Sequence, residues 1–162
     1  MSRKISFKQI GVIHSPFTEP AGTPIQPPGA DGAEGRVEIF PEYTEGLEDL
    51  EGFSHIFLIY YFHKSRGGPL RFKPFLDEHY HGVFAMRGSA RPNSIGLSVV
   101  ALDSIEDNIL HVRDVDILDG TPLLDIKPYV PQFDARKKVR IGWLESKVDD
   151  LKGARDDGRF QQ

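Results

Sequence analysis

The hydrophobic residues of this sequence occur in short runs between polar, proline-rich and glycine-rich segments, a pattern that predicts strands rather than long helices. The most apolar run, SHIFLIYYFH at residues 54–63, is rich in aromatic and β-branched residues and predicts a strand buried on both faces. Weaker runs predict further strands at residues 5–14, 36–40, 82–86, 95–103, 109–118 and 123–129.

Helical signals are few. Residues 46–50 have room for one short helix, and residues 106–108 predict a turn. One C-terminal helix is predicted by the spacing of four apolar residues, Ile141, Leu144, Val148 and Leu151. Because the connections are too short for parallel crossovers, the pattern predicts a mainly β fold with short helices: a single small domain built on an antiparallel sheet or a small antiparallel barrel. We assign residues 1–134 to this domain and residues 135–162 to a charged, partly helical tail.

Two long connections interrupt the predicted strands. Residues 15–35 contain five prolines and four glycines, so this segment cannot form a helix or a central strand. Residues 64–82 form a second loop with basic content. Long loops inside a compact domain are usually functional or disordered, so both segments are candidates for a binding site.

The composition narrows the class of protein. The chain of 162 residues favours one domain, and it contains no cysteine, which excludes a disulfide framework, a thiolate nucleophile and a cysteine zinc site. The N-terminal residues lack the apolar core of a signal peptide, and the longest apolar run is far shorter than the roughly 20 residues that span a bilayer. We therefore expect a cytoplasmic protein without a membrane segment.

Charge is unevenly distributed along the chain. The net charge of −4 disfavours a general nucleic-acid-coating protein. Residues 31–51 carry eight acidic side chains against one arginine, whereas residues 63–91 carry six basic side chains against two acidic ones. An anionic partner is therefore expected to contact the middle of the chain.

The segment FAMRGSARPNSIGL, residues 84–97, has the strongest chemical pattern. Arg87 and Arg91 offer guanidinium groups that suit a carboxylate or a phosphate. Asn93 can both donate and accept hydrogen bonds, and Gly96 allows a ligand or another chain to approach closely. The alternative is an ordinary strand connection with solvated arginines and an asparagine turn.

Other candidate residues stand at predicted strand ends. Asp119, in the DGTP turn, could accept hydrogen bonds from a ribose or an amino group, although an ordinary hairpin explains it as well. His63 closes the most apolar strand, where a satisfied core or edge histidine is the alternative. His79 and His81 have the spacing of metal ligands, but no third ligand is evident, so we expect no metal site.

Taken together, these stretches resemble the TsaA/TrmO family, also called YaeB-like or VirR-like. The matching segments occur in the family's order: QIGVIHSPF (9–17), QPPG (26–29), GLEDLEGFSHIFLIYYFHK (46–64), GVFAMRGSARPNSIGLSVVAL (82–102) and ILDGTPLLDIKPYVP (117–131). The resemblance implies a β-barrel-like sheet that forms a homodimer and binds S-adenosylmethionine near the subunit interface. It also implies a tRNA methyltransferase that modifies N6 of threonylcarbamoyl-adenosine beside the anticodon.

Carried onto this chain, the resemblance implies a set of cofactor contacts. These are Gln26, Pro27, Pro28, His63, Lys64, Arg87, Leu97, Leu118, Asp119, Gly120 and Thr121. Arg91, Pro92 and Asn93 match the family's RPN motif, but Ser94 replaces the proline that usually follows. The C-terminal extension of larger members is also replaced by a short charged tail, which weakens the assignment of tRNA as the partner.

Methyl transfer from a sulfonium needs in-line positioning and a proton acceptor. The catalytic candidates are Arg91, Asn93, Asp119 and His63, and a backbone carbonyl beside Pro92 is a further acceptor. Tyr129 or Tyr60 could face the sulfonium as a cation–π partner. Three other hypotheses stay open: a non-catalytic S-adenosylmethionine or nucleotide-binding regulator, a methyltransferase with a different acceptor, and a small structural barrel.

Overall fold

A closed antiparallel barrel dominates the computed structural model, which describes residues 1–25 and 30–157. Eight strands occur in these residues: β1 (Gly11–His14), β2 (Glu34–Ile39), β3 (His55–Tyr61), β4 (Arg71–Phe72), β5 (His81–Gly82), β6 (Ile95–Glu106), β7 (Ile109–Arg113) and β8 (Thr121–Pro128). The barrel closes in the order β1–β2–β7–β6–β3–β8, and β4 pairs with β5 in a separate two-stranded sheet. The predicted mainly β, antiparallel barrel is confirmed.

The barrel interior is filled by branched aliphatic side chains from every strand of the closed sheet. Fully buried examples are Ile13, Val37, Leu58, Val100, Leu110 and Leu123. Burying a side chain of this size contributes roughly 1.5–3 kcal/mol. A second cluster outside the barrel contains Phe72, Val83, Met86 and Ala90, with Trp143 packed against it.

Strand β3 is fully buried on one face only. Its buried residues alternate, with Ile56, Leu58 and Tyr60 facing the core while the intervening Phe57 and Ile59 are only half-buried. The prediction of a strand buried on both faces is therefore wrong in detail. The outward-facing Phe57 and Ile59 are apolar although they are only half-buried. One of them, Phe57, packs edge-on against Tyr129 on the outside of the barrel.

Two predicted strands differ in the structure. The first begins only at Gly11, because residues 1–9 are exposed and have no strand partner. Residues 82–86 form a 3-10 turn at Val83–Ala85, in which Val83 turns inward while Phe84 is exposed. The short apolar run therefore reflects two inward residues, Val83 and Met86, at either end of a 3-10 turn rather than a strand.

The boundaries of β6, β7 and β8 differ from the predicted ones by up to five residues. β6 continues to Glu106 and meets β7 at a turn where Asp107 has a φ of 55°, in agreement with the predicted turn. β7 ends at Arg113 because Asp114 adopts a φ of 65° and redirects the chain. The connecting segment, residues 114–120, then leads into β8, which begins at Thr121.

The helices are short. Two 3-10 helices, Pro41–Leu47 and Leu50–Gly52, replace the predicted helix at residues 46–50, and Asp49 with a φ of 67° separates them. One four-residue α-helix, α1 (Pro131–Asp134), follows β8.

The predicted C-terminal helix is wrong as one continuous α-helix. The segment instead contains two 3-10 helices, Gly142–Leu144 and Val148–Gly153. Gly142 has a φ of 59°, which is incompatible with an α-helix, and the Trp143 side chain is held against the cavity wall described below. The proposed domain boundary at residue 134 stays a prediction.

Candidate functional site

A cavity of about 640 Å³ opens beside one end of the barrel. Its walls come from the end of β3, the start of β6, residues 114–120, the 84–91 segment and the C-terminal segment. Apolar groups cover much of the surface, among them Phe62, Phe72, Phe75, Leu76 and Leu118. The volume falls within the range of roughly 300–1,000 Å³ that is typical of small-molecule sites.

A polar network lies at the barrel side of this cavity. Ser98 Oγ donates to Asp116 Oδ1 at 2.6 Å, and the Tyr60 hydroxyl lies 2.9 Å from the same Ser98 oxygen. Tyr60 and Ser98 are buried, and both Tyr60 and Asp116 line the cavity. The network joins three separate parts of the fold: Tyr60 lies on β3, Ser98 on β6 and Asp116 in the segment after β7.

The network has unusual electrostatics. Burial raises the pKa of the Asp116 carboxyl to about 7, against opposing effects of the Ser98 hydrogen bond and the positive charge of Arg87. The pKa of the Tyr60 phenol is raised well above its usual range, mainly by burial and also by the nearby Asp116 charge. The Asp116 carboxyl therefore gains and loses its proton near neutral pH, whereas the Tyr60 phenol stays protonated.

His63, Lys64 and Thr121 form a neighbouring part of the wall. Thr121 Oγ1 donates to the Leu118 carbonyl at 2.7 Å and lies 3.4 Å from His63 Nδ1. Partial burial lowers the pKa of His63, and the charge of Lys64 lowers it further. His63 is therefore predominantly neutral at pH 7.

The two arginines of the 84–97 segment have different surroundings. Both line the cavity. Arg91 Nη1 donates to the carbonyl oxygens of Met86 and Gly88 at 2.9 Å and 3.3 Å, so its guanidinium fastens the turn that carries Arg87. Arg87 is exposed at the cavity wall, and its charge acts on Asp116.

The C-terminal segment closes one side of the cavity. Trp143 lines it, donates from Nε1 to the Ala85 carbonyl at 2.9 Å, and stacks on the His81 ring at a centroid distance of 4.5 Å. His81 Nε2 in turn lies 2.9 Å from Asp77 Oδ2. Further along, the Asp156 amide donates to the Thr23 carbonyl at 2.8 Å, which joins the tail to the proline-rich loop.

The cavity brings together seven of the residues predicted from the sequence: His63, Lys64, Arg87, Arg91, Leu97, Leu118 and Thr121. Three others lie outside its lining, namely Asn93, Asp119 and Gly120. Asn93 is exposed, and its carbonyl accepts the Ile95 amide. The Asp119 carboxylate instead accepts the Ser15 amide at 3.0 Å. The predicted contacts at Gln26, Pro27 and Pro28 lie outside the described residues.

Sequence reasoning missed Asp116, Ser98 and Trp143. Asp116 had a signal in the sequence, because it is an acidic residue between the apolar Val115 and Ile117, both of which are buried. Ser98 lies within an apolar strand and gave no comparable signal. Gly96 lines the cavity, and the ring of Tyr60 lies against its backbone.

Two further expectations concern aromatic and histidine residues. Tyr60 lines the cavity, whereas Tyr129 packs edge-on against Phe57 on the barrel exterior. His79 and His81 both contact Asp77, with distances of 2.9 Å. Within residues 1–25 and 30–157, no group of three or more histidine, aspartate or glutamate side chains is arranged to hold a metal ion. Nor does any helix in this part of the chain have the length and apolar character needed to cross a bilayer.

Comparisons with known proteins agree with this architecture. Residues 12–135 match the family model of the tRNA-methyltransferase O N-terminal domain. A probable S-adenosyl-L-methionine-binding protein of Pyrococcus abyssi is 61% identical over 156 residues, which cover 96% of this chain and 85% of that protein. The tRNA (adenine(37)-N6)-methyltransferase of Escherichia coli is 38% identical over 150 residues, 86% of this chain but 64% of the relative.

A solved structure shows the same fold. The crystal structure of TrmO from Pseudomonas aeruginosa superposes with a TM-score of 0.73 at 41% identity, covering 87% of this chain and 63% of that one. The family resemblance and the barrel architecture inferred from the sequence are thus confirmed. The chain spans less than two thirds of the length of the bacterial methyltransferases that it matches.

Proposed function

This chain belongs to the tRNA-methyltransferase O N-terminal domain family, and we propose that it is an S-adenosylmethionine-dependent methyltransferase acting on N6 of adenine 37 in tRNA. The observation that carries this proposal is the cavity beside the barrel, which combines apolar walls, basic groups and a partly buried carboxylate. We propose further that the adenine is the threonylcarbamoyl-modified one, as the sequence resemblance implies.

The residues around the cavity fit S-adenosylmethionine. Aromatic and aliphatic walls suit an adenine ring, for which Phe62, Phe72 and Leu118 are available. Lys64 and Arg87 suit the carboxylate of the methionine part.

S-adenosylmethionine, when bound, supplies a methyl group that is activated by a positively charged sulfur. The protein's own task is to bind, orient and exclude water. Arg91 holds the turn that presents Arg87, and Trp143 covers one side of the cavity. The neutral His63 and the Asp116 carboxylate are the titratable groups of the wall that can exchange a proton near pH 7.

The proposed tRNA partner fits the basic middle of the chain. Lys64, Arg87 and Arg91 line the cavity, and Arg66, Arg71 and Lys73 lie in the neighbouring segment at residues 64–82, with Arg71 in β4. These residues can neutralise phosphates around the opening. The cytoplasmic location expected from the sequence remains part of the proposal.

A homodimer is also proposed. Apolar side chains are exposed at the cavity rim, including Phe84, Ile95 and Leu97, which are 80%, 38% and 49% exposed. A second copy of the chain that covered them would complete the rim. Light scattering of the purified protein measures the mass directly, and a monomer at all concentrations would remove this part of the proposal.

The first experiment is isothermal titration of the protein with S-adenosylmethionine, with ATP as the control nucleotide. Specific binding is expected, followed by transfer of labelled methyl groups to tRNA from cells that lack the modification. Binding without transfer to any RNA would instead favour the regulatory module. The net charge of −4 is the observation that supports this second candidate.

A further inference from the structure

Asp116 is a carboxylate that lines the cavity and accepts a hydrogen bond from a buried hydroxyl group. It lines the cavity, yet it lies between Val115 and Ile117, which are 0% and 2% exposed. Its Oδ1 atom receives the Ser98 hydroxyl at 2.6 Å, and Ser98 lies 2.9 Å from the Tyr60 hydroxyl. Burying an ionisable carboxyl beside a hydroxyl network costs stability, and such groups occur chiefly where a site uses them.

We propose that Asp116 is the proton acceptor of the methyl-transfer reaction, held in position by Ser98 and Tyr60. The inference rests on the proposed function, because it assigns a role within the same cavity. It gives Asp116 the task that the sequence assigned to Asn93, Asp119 or His63.

The positions of the alternatives support this assignment. Asn93 and Asp119 are outside the lining of the cavity, and Asp119 is engaged with the Ser15 amide. His63 does line the cavity, but its Nδ1 faces Thr121 Oγ1 at 3.4 Å. Asp116 therefore has the access to the cavity that Asn93 and Asp119 lack, and its carboxylate is held by a hydrogen bond of 2.6 Å, against the 3.4 Å contact at His63.

The chemistry balances with Asp116 in this role. The acceptor nitrogen forms a bond to the methyl carbon as the carbon–sulfur bond of the sulfonium breaks, and that bonding pair stays on sulfur as a neutral thioether. The nitrogen then has one proton too many. Its N–H bond breaks, the electron pair remains on nitrogen, and the proton moves to the Asp116 carboxylate. The protonated carboxyl returns this proton to solvent before the next turnover.

The surrounding groups set the basicity of Asp116. Burial raises the pKa of its carboxyl to about 7, which makes it a stronger base than an exposed aspartate and still ionised in a large fraction of molecules at neutral pH. Ser98 and Arg87 act in the opposite direction by stabilising the ionised form. The Ser98 hydroxyl links the Tyr60 hydroxyl to Asp116. The other titratable groups of the cavity wall are His63, Lys64, Arg91 and Asp156.

The test compares wild type with Asp116→Asn, which keeps the size of the side chain and an oxygen that can accept from Ser98 but cannot take up a proton. Three quantities are measured: the Kd for S-adenosylmethionine, single-turnover methylation of tRNA from pH 5.5 to 9, and the ¹³C titration of the Asp116 carboxyl. Asp103→Asn is the matched control, because Asp103 pairs with Arg113 on the exposed surface outside the cavity lining.

We expect Asp116→Asn to bind S-adenosylmethionine like wild type but to methylate roughly 100-fold or more slowly. The wild-type rate should rise with pH through about 7 as the carboxyl ionises, and this rise should be absent in the variant. The Asp103→Asn control should match wild type in both measurements.

Two results would overturn the proposal: undiminished methylation by Asp116→Asn, or a rate loss fully explained by weaker cofactor binding. A wild type that binds S-adenosylmethionine but transfers no methyl to tRNA would refute the proposed function alone. In that case the ¹³C titration decides. An Asp116 carboxyl that stays ionised down to about pH 4, the usual pKa of aspartate, refutes Asp116 as a base. Titration of the carboxyl near pH 7 instead supports Asp116 as the base for a different methyl acceptor. The titration needs no variant, so it also decides if Asp116→Asn does not fold.

Discussion

The ring of Tyr60 lies directly against the backbone of Gly96, where an added Cβ atom would come within 2.1 Å of Tyr60 Cε2. The two residues face each other as a cross-strand pair between β3 and β6. The missing side chain is what lets the Tyr60 hydroxyl reach Ser98, two residues further along β6. Gly96 thus connects the packing of the barrel to the polar network of the cavity.

Gly96→Ala is therefore expected to lower the free energy of unfolding by about 1–3 kcal/mol, because the buried Tyr60 ring has to move. Denaturant titration measures this loss. Gly46→Ala is the control, since a Cβ at Gly46 meets nothing within 4 Å and its stability should stay at or slightly above that of wild type. Equal stability of the two variants would show that Tyr60 does not depend on Gly96.

Trp143 provides a second prediction, on the role of the tail. Its indole donates to Ala85, stacks on His81 and packs against the Phe72 cluster, so it covers one side of the cavity. Trp143→Ala is expected to weaken S-adenosylmethionine binding on the order of tenfold, or about 1.4 kcal/mol. Val139→Ala, at a residue that is 60% exposed and outside this cavity, is the control and should bind as wild type does.

The same residue offers an independent measurement. Trp143 is the only tryptophan in the sequence, so its fluorescence reports on this wall of the cavity alone. Titration of wild type with S-adenosylmethionine should change the emission, with a midpoint that agrees with calorimetry. Emission that stays constant through saturation would place the cofactor away from Trp143.

Much of the fold could be predicted from the sequence because strand patterns are local. The run that became β3 and the turn between β6 and β7 are encoded within about ten residues. The site is different, because Tyr60, Ser98 and Asp116 meet only when β3, β6 and the segment after β7 are folded together. The sequence predicts Asp119 and not Asp116, because a turn residue is visible in the sequence, whereas the direction of a side chain into a cavity is not.

Arg87 gives a prediction about pH. Its positive charge lowers the pKa of Asp116, so Arg87→Ala should raise that pKa and move the rising part of the pH–rate profile to higher pH. Fewer molecules are then ionised at pH 7, and methylation at that pH should fall further than at pH 9. Arg87→Lys keeps the charge and should leave the profile close to that of wild type. A loss in Arg87→Ala that is the same at every pH would indicate a binding role alone.

The ionisation of Asp116 should also change the stability of the fold. The direction of this change with pH distinguishes a carboxylate kept for function from a structural one. Its pKa is raised from 3.8 to about 7 by burial, so the folded state binds a proton more tightly than the unfolded state. The resulting stability is fully present below about pH 4 and is lost as the pH rises through about 7. At pH 8 the ionised Asp116 should therefore destabilise the fold.

Asp116→Asn removes this penalty, so at pH 8 it should be more stable than wild type by about 1 to 4 kcal/mol, a range that follows from about 1.4 kcal/mol per pKa unit. The difference should shrink as the pH falls to about 4. Asp103→Asn should not gain stability at pH 8, because the Arg113 hydrogen bonds lower the pKa of Asp103 and favour its charged form. Thermal unfolding of the three proteins at pH 4, 6 and 8 makes the comparison. A variant that is more stable yet slower in methylation would show that the carboxylate is kept for chemistry at the expense of the fold, whereas destabilisation by Asp116→Asn at pH 8 would identify Asp116 as a structural residue.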